Sequence, residues 1–163
     1  TQPFPGMGDE VWFPLYEKMV ELDVPALIHS ATTMNPWDYY QNYFITTETS
    51  CILQMVEHKV FNIFPNLKII MAHFGFPWVG EAIAIIQRNP NVYFNIAGWA
   101  PRHLPEMLIR YMDSVISHKA LFGSDFPLVS RKRIIHELKD LPLKEETRRR
   151  LLTENPKRLL KLP

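Results

Sequence analysis

Leu121-Phe122-Gly123-Ser124-Asp125-Phe126-Pro127 is the stretch on which the reading of this chain turns. Ala120 to Phe122 is a short apolar run of the kind that forms a fully buried strand, and Gly123 and Pro127 punctuate its end. Asp125 therefore stands at the C-terminal tip of a strand. In parallel α/β folds that tip carries ligands and chemistry, because its loops vary while the strands hold position. Two upstream stretches have the same form. Pro25-Ala26-Leu27-Ile28-His29-Ser30 and Leu67-Lys68-Ile69-Ile70-Met71-Ala72-His73-Phe74-Gly75 are apolar runs of β type that lead into histidine.

Working outward, apolar runs predict strands near 26–29, 68–72, 92–96 and 120–123. Helical spacing of Leu, Ile, Val, Met and aromatic residues predicts helices over about 9–22, 49–63, 78–87, 104–116, 131–138 and 144–160. Strands alternating with helices imply a parallel sheet with right-handed crossovers. The strand starts are on average about 31 residues apart, which is about one eighth of a typical ~250-residue (β/α)8 TIM barrel. The expected fold is that barrel, with about its last four strand–helix units present. A doubly wound sheet fits the spacing nearly as well.

Composition narrows the function classes. With 163 residues, 47% of them hydrophobic, and a formal charge of +1, the chain fits one globular domain with no electrostatic footprint for nucleic acid or an anionic membrane. The basic run Arg148-Arg149-Arg150 with Lys157-Arg158 alternates with leucines and reads as a solvated helix face. Cys51 is alone, which leaves no internal disulfide and points to a cytoplasmic protein. No apolar run reaches the ~18 residues of a membrane span, and the start resembles no signal peptide. Because the chain opens with Thr1 inside a Pro/Gly-rich loop rather than with Met, an upstream part is expected.

His29, His73 and Asp125 are too far apart in sequence for a local motif, but they can converge if their strands are neighbours and share one rim. Imidazole and carboxylate together suit Zn²⁺ first, or Mn²⁺ or Fe²⁺. Such an ion lowers the pKa of bound water to near ~7 and polarises a substrate oxygen. Each residue alone has a plainer reading: a strand-end histidine is usually structural, and an aspartate before Phe-Pro can simply hold a turn.

The residues just quoted, with the terminal Asn155-Pro156-Lys157-Arg158-Leu159-Leu160, resemble the second half of the amidohydrolase-related family. This is the branch of the amidohydrolase superfamily that includes aminocarboxymuconate-semialdehyde decarboxylase and γ-resorcylate decarboxylase. The resemblance implies that His29 is the fifth-strand metal ligand and that His73 is the sixth-strand acid or base. It likewise makes Asp125 the eighth-strand metal ligand, able to receive the proton of the metal's water. Where many members have a glycine-rich turn, this chain has His73-Phe74-Gly75-Phe76, a bulkier wall for the substrate pocket. The family's first-strand His-x-His or Glu-x-His does not occur in the sequence.

The expected protein is therefore residues 1–163 as the C-terminal half of one metal-dependent barrel domain, the N-terminal half being absent from this sequence. Its expected activity is that of a hydrolase or decarboxylase acting on a small carboxylated or lactone substrate. A half barrel alone exposes two sheet edges and its interior apolar face, so either the other half covers them or two copies pair; family likeness suggests a homo-oligomer. Trp37 and Asp38 in the loop after His29, and Trp99, Arg102 and His103 after the third strand, are candidate substrate contacts. His58, His118 and His136 fall on or beside helices and read as structural. The rival readings are a non-catalytic barrel fragment that binds a ligand or partner, and a small doubly wound domain complete in itself.

Overall fold

The computed structural model describes residues 5–30 and 47–163. Trp37 and Asp38 lie outside them. Four parallel strands, β1 (Ala26–His29), β2 (Ile69–Ala72), β3 (Val92–Asn95) and β4 (Ala120–Leu121), form one sheet whose spatial order is their chain order. Each step between neighbours passes through helix, as parallel pairing requires. The helices are α1 (Phe13–Leu22), α2 (Thr47–Glu57), α3 (Val60–Ile63), α4 (Val79–Arg88), α5 (Glu106–Met112), α6 (Arg131–Glu137), α7 (Glu145–Arg149) and α8 (Asn155–Leu160). The fold is α/β: a four-strand arc of a TIM barrel with α2, α4 and α5 packed on its outer face.

The two sheet faces follow from strand alternation. Ile69, Met71, Val92, Phe94 and Ala120 point to the helices and sit in the main core with Ile52, Met55, Ile86 and Leu108. Ile70 and Leu121 point the other way, where they meet Leu159 of α8 and the half-buried Tyr93. On β1, Leu27 faces that same inner side and is 64% exposed. At the far end of β1 the buried Ser30 hydroxyl donates to the Ala72 carbonyl at 2.5 Å, fastening the C-terminal ends of β1 and β2 together.

Local chemistry sets the element ends. Asp9 accepts from Val11 N at 3.0 Å ahead of α1, whose buried Tyr16 donates its hydroxyl to Met7 O at 2.6 Å. Asp23 closes α1 in the left-handed region, and its carboxylate pairs with Lys161 and Lys68. Their hydrogen bonds hold Asp23 at a pKa of about 2. The single helix expected over 49–63 is broken at Lys59, whose φ of 57° separates α2 from α3. The helix expected over 104–116 is shorter, because Pro105 stands at the N-cap of α5 and the chain turns off after Met112. The last helix is continuous in direction but widens into a π turn over Arg150–Glu154 between α7 and α8.

The terminal Asn155-Pro156-Lys157-Arg158 segment has a structural task. Asn155 is fully buried, and its side-chain amide donates to Ser117 O and Ala120 O, each at 2.8 Å. Arg158 donates to the Asn155 Oδ1 at 3.1 Å and to His118 O at 2.5 Å. This segment thus fixes the N-terminal entry of β4, the end opposite Asp125. No helix among the described residues is long and apolar enough to cross a membrane.

Candidate active site

The C-terminal rim gathers His29, His73 and Asp125. His29 is the last residue of β1, and its register partner on β2 is Ala72, the residue before His73. The two imidazoles therefore meet edge to face, with centroids 4.6 Å apart and planes at 61°. His29 is exposed and His73 half-buried.

Asp125 reaches the same place by way of Gly98. A methyl group at Gly98 would lie 3.0 Å from His73 Nδ1 and 3.4 Å from Asp125 Oδ2, so both side chains press on the one position where the loop after β3 has no side chain. Gly98 also has φ of 76°, a conformation that favours glycine. The strand below Asp125 is set by a second close approach: a Cβ at Gly123 would meet the Ala97 Cβ at 2.9 Å. His29, His73 and Asp125 thus share one rim, with the loop after β3 between His73 and Asp125. Asp125 is exposed and, like His73, has positive φ, 56° and 60° respectively.

His73 is held tightly. Its backbone N–H donates to Asn95 Oδ1 at 3.1 Å, and its Nδ1 lies 2.8 Å from the Ala97 carbonyl oxygen. Phe74, fully buried with φ of 48°, packs against Trp99 at 5.6 Å, and Trp99 in turn lies 4.4 Å from Phe76. The bulky turn after β2 is thereby anchored in the core, and Trp99 is a wall beside it. The neighbouring turn Pro101–His103 carries Arg102 and His103 at the surface. Arg102 Nε donates to His103 Nε2 at 3.1 Å, and its guanidinium lies 3.9 Å from Glu137 of α6. Glu137 is held below the usual carboxylate range, first by the hydrogen bond from Arg133 and then by Arg102. After Asp125, the exposed Phe126 ring is covered by Arg131, whose guanidinium carbon lies 5.3 Å from the ring centre.

His29 and Asp125 are donors of the kind that bind Zn²⁺ or Mn²⁺. They are two ligands where a closed site needs about four, and among the described residues no group of three or more His, Cys, Asp or Glu side chains is placed to hold a metal ion. The donor types fit a divalent ion; the number fits only part of its shell. Asn95 and Gly98, which the sequence reading passes over, are the residues that shape the site around His73.

The amidohydrolase family model matches residues 1–162. A 2-keto-4-carboxy-3-hexenedioate hydratase from Sphingobium sp. is 40% identical over 136 residues, covering 74% of this chain and 38% of the hydratase. A solved 2,6-dihydroxybenzoate decarboxylase from Rhizobium superposes with a TM-score of 0.76 at 18% identity, over 99% of this chain and 58% of that one. A dihydroxybenzoic acid decarboxylase from Polaromonas sp., solved with bound manganese and the inhibitor 2-nitroresorcinol, gives 0.77 at 18% identity, over 99% and 57%. The solved structures share the fold. The chain spans 38% of the curated relative's length and a little over half that of each solved structure.

Proposed function

Because this chain belongs to the amidohydrolase family, we propose that it forms the C-terminal half of a metal-dependent barrel enzyme acting on a small carboxylated substrate. The observation that carries the reading is the meeting of His29, His73 and Asp125 on one rim, with His73 and Asp125 both closing on Gly98. His29 and Asp125 would supply two ligands to a divalent ion, zinc or manganese, completed by residues outside this sequence. When bound, that ion lowers the pKa of water and polarises a substrate oxygen.

The chain's own residues do the rest. His73, half-buried and fixed through its backbone, holds or delivers a proton at its ring nitrogen. Asp125, an exposed carboxylate on the same rim, takes a proton from water when it is not ligating. Arg102, exposed and braced by Glu137, is the cation suited to a substrate carboxylate, with His103 beside it. Trp99 and Phe76 form the apolar wall that limits access of water. Hydrolysis of a lactone or C–N bond and loss of carboxylate both use this set.

A second reaction, hydration of a carboxylated alkene, is favoured by the 40% identity to a hydratase. It needs the same acid and base: the base takes a proton from water as the oxygen bonds to one alkene carbon, the π bond breaks, and the acid delivers a proton to the other carbon. Native mass spectrometry of the full-length protein with Asp125→Asn tests the site. The expected result is loss of the bound divalent ion and of turnover; retention of both would sink the assignment.

A further inference from the structure

His73 and Phe74 are consecutive non-glycine residues with φ of 60° and 48°. A left-handed backbone crowds the Cβ of any residue but glycine, so something must hold this pair in place. Buried Phe74 secures one of the two. For the other, a single atom stands out. Asn95 Oδ1 accepts from His73 N at 3.1 Å and from Ala97 N at 3.1 Å. Asn95 is the last residue of β3 and only 9% exposed. One buried oxygen therefore ties the turn after β2 to the loop after β3.

We infer that Asn95 is the positioning residue of His73, fixing through this pair of hydrogen bonds the ring tautomer that the site uses. The Ala97 carbonyl lies 2.8 Å from His73 Nδ1 because Ala97 N and His73 N share the same acceptor. A carbonyl oxygen only accepts, so Nδ1 carries the hydrogen. A neutral ring then keeps its lone pair on Nε2. Gly98 completes the cradle, since a methyl group there would lie 3.0 Å from Nδ1 and push the ring off the carbonyl. The catalytic meaning of this arrangement rests on the acid–base role given to His73 above; the tautomer itself does not.

The test is long-range ¹⁵N–¹H NMR of the imidazoles in full-length protein, in alkaline buffer where an imidazole is neutral. The wild type is expected to show the Nδ1–H pattern for His73. Asn95→Asp keeps an acceptor oxygen and is expected to keep the pattern. Asn95→Ala removes it and is expected to raise the Nε2–H form of His73 several-fold. An unchanged tautomer in Asn95→Ala, or its loss in Asn95→Asp, overturns the inference, and if the alanine variant does not fold the aspartate variant decides alone. Should the tautomers behave as expected while His73→Gln retains turnover, the positioning stands and the catalytic role of His73 falls.

Discussion

His29 lies opposite Ala72 in the β1–β2 register, and its ring meets that of His73 edge to face at 4.6 Å. Two imidazoles in contact can share one task or divide two, and removing them one at a time tells which. With His29 as metal ligand and His73 as acid–base, His29→Ala is expected to weaken divalent-metal binding at least about 100-fold, beyond what supporting residues contribute. His73→Gln is expected to leave metal content unchanged and to lower kcat by about 10²–10⁴-fold. Metal analysis after dialysis, beside initial rates, separates the two; equal loss of metal in both variants would show a shared ligand role.

Gly98→Ala adds a methyl group 3.0 Å from His73 Nδ1 and 3.4 Å from Asp125 Oδ2, at a φ of 76°. The strained backbone costs about 1 kcal/mol, and the His73 ring shifts by a few tenths of an ångström. The expected outcome is a small fall in Tm with a kcat at least about tenfold lower, since small misplacements of reacting groups are costly. Thermal melting run beside a rate assay checks it, and full activity would mean that the ring has room to spare.

Asn155→Ala is expected to destabilise the fold without touching the rim. It removes two buried donors to Ser117 O and Ala120 O and the acceptor for Arg158. Leaving those carbonyls unpaired costs about 2–4 kcal/mol, read as a lower urea midpoint at unchanged m value. A variant as stable as the wild type would show that water replaces the amide.

Lys119 makes stability depend on alkaline pH. It is buried, donates to Ile86 O in α4 at 2.5 Å and to Asn89 O just after α4 at 2.6 Å, and burial draws it from 10.5 down to about 8. Between those values the unfolded chain binds the proton and the folded chain does not, so stability rises as pH goes from about 8 to 10.5. Denaturation midpoints across that window are expected to climb in the wild type and less so in Lys119→Met. Equal slopes in the two proteins would show that the buried ammonium keeps its ordinary affinity for the proton.

The strands were legible because each is a run of apolar residues: Ala26–His29 is found where expected, Ile69–Ala72 and Val92–Asn95 to within a residue, and the strand expected over 120–123 ends two residues early, at Leu121. The left-handed break at Lys59 was not, since neither glycine nor proline marks it and it is held by backbone hydrogen bonds and by the burial of Val60 and Phe64 after it. The π turn at Arg150–Glu154 was hidden for the same reason, its leucines keeping helical spacing. In the site, His29, His73 and Asp125 announce themselves as polar residues at apolar strand ends. Asn95 ends a strand too, yet its value lies in two N–H groups brought to it by other segments. Gly98 matters for what it lacks, which a sequence shows as one glycine among six.

Sheet order in this protein repeats chain order, β1 beside β2, β2 beside β3 and β3 beside β4. Every strand therefore waits only for the next one to be made. Pairing between sequence neighbours closes short loops, and short loops cost the least entropy. The arc can be assembled as the ribosome delivers it, one strand–helix unit docking on the last. The Asn155 amide is made after all four strands and latches the entry of β4, so the strand that comes last in the arc is fastened by a residue that follows it in the chain.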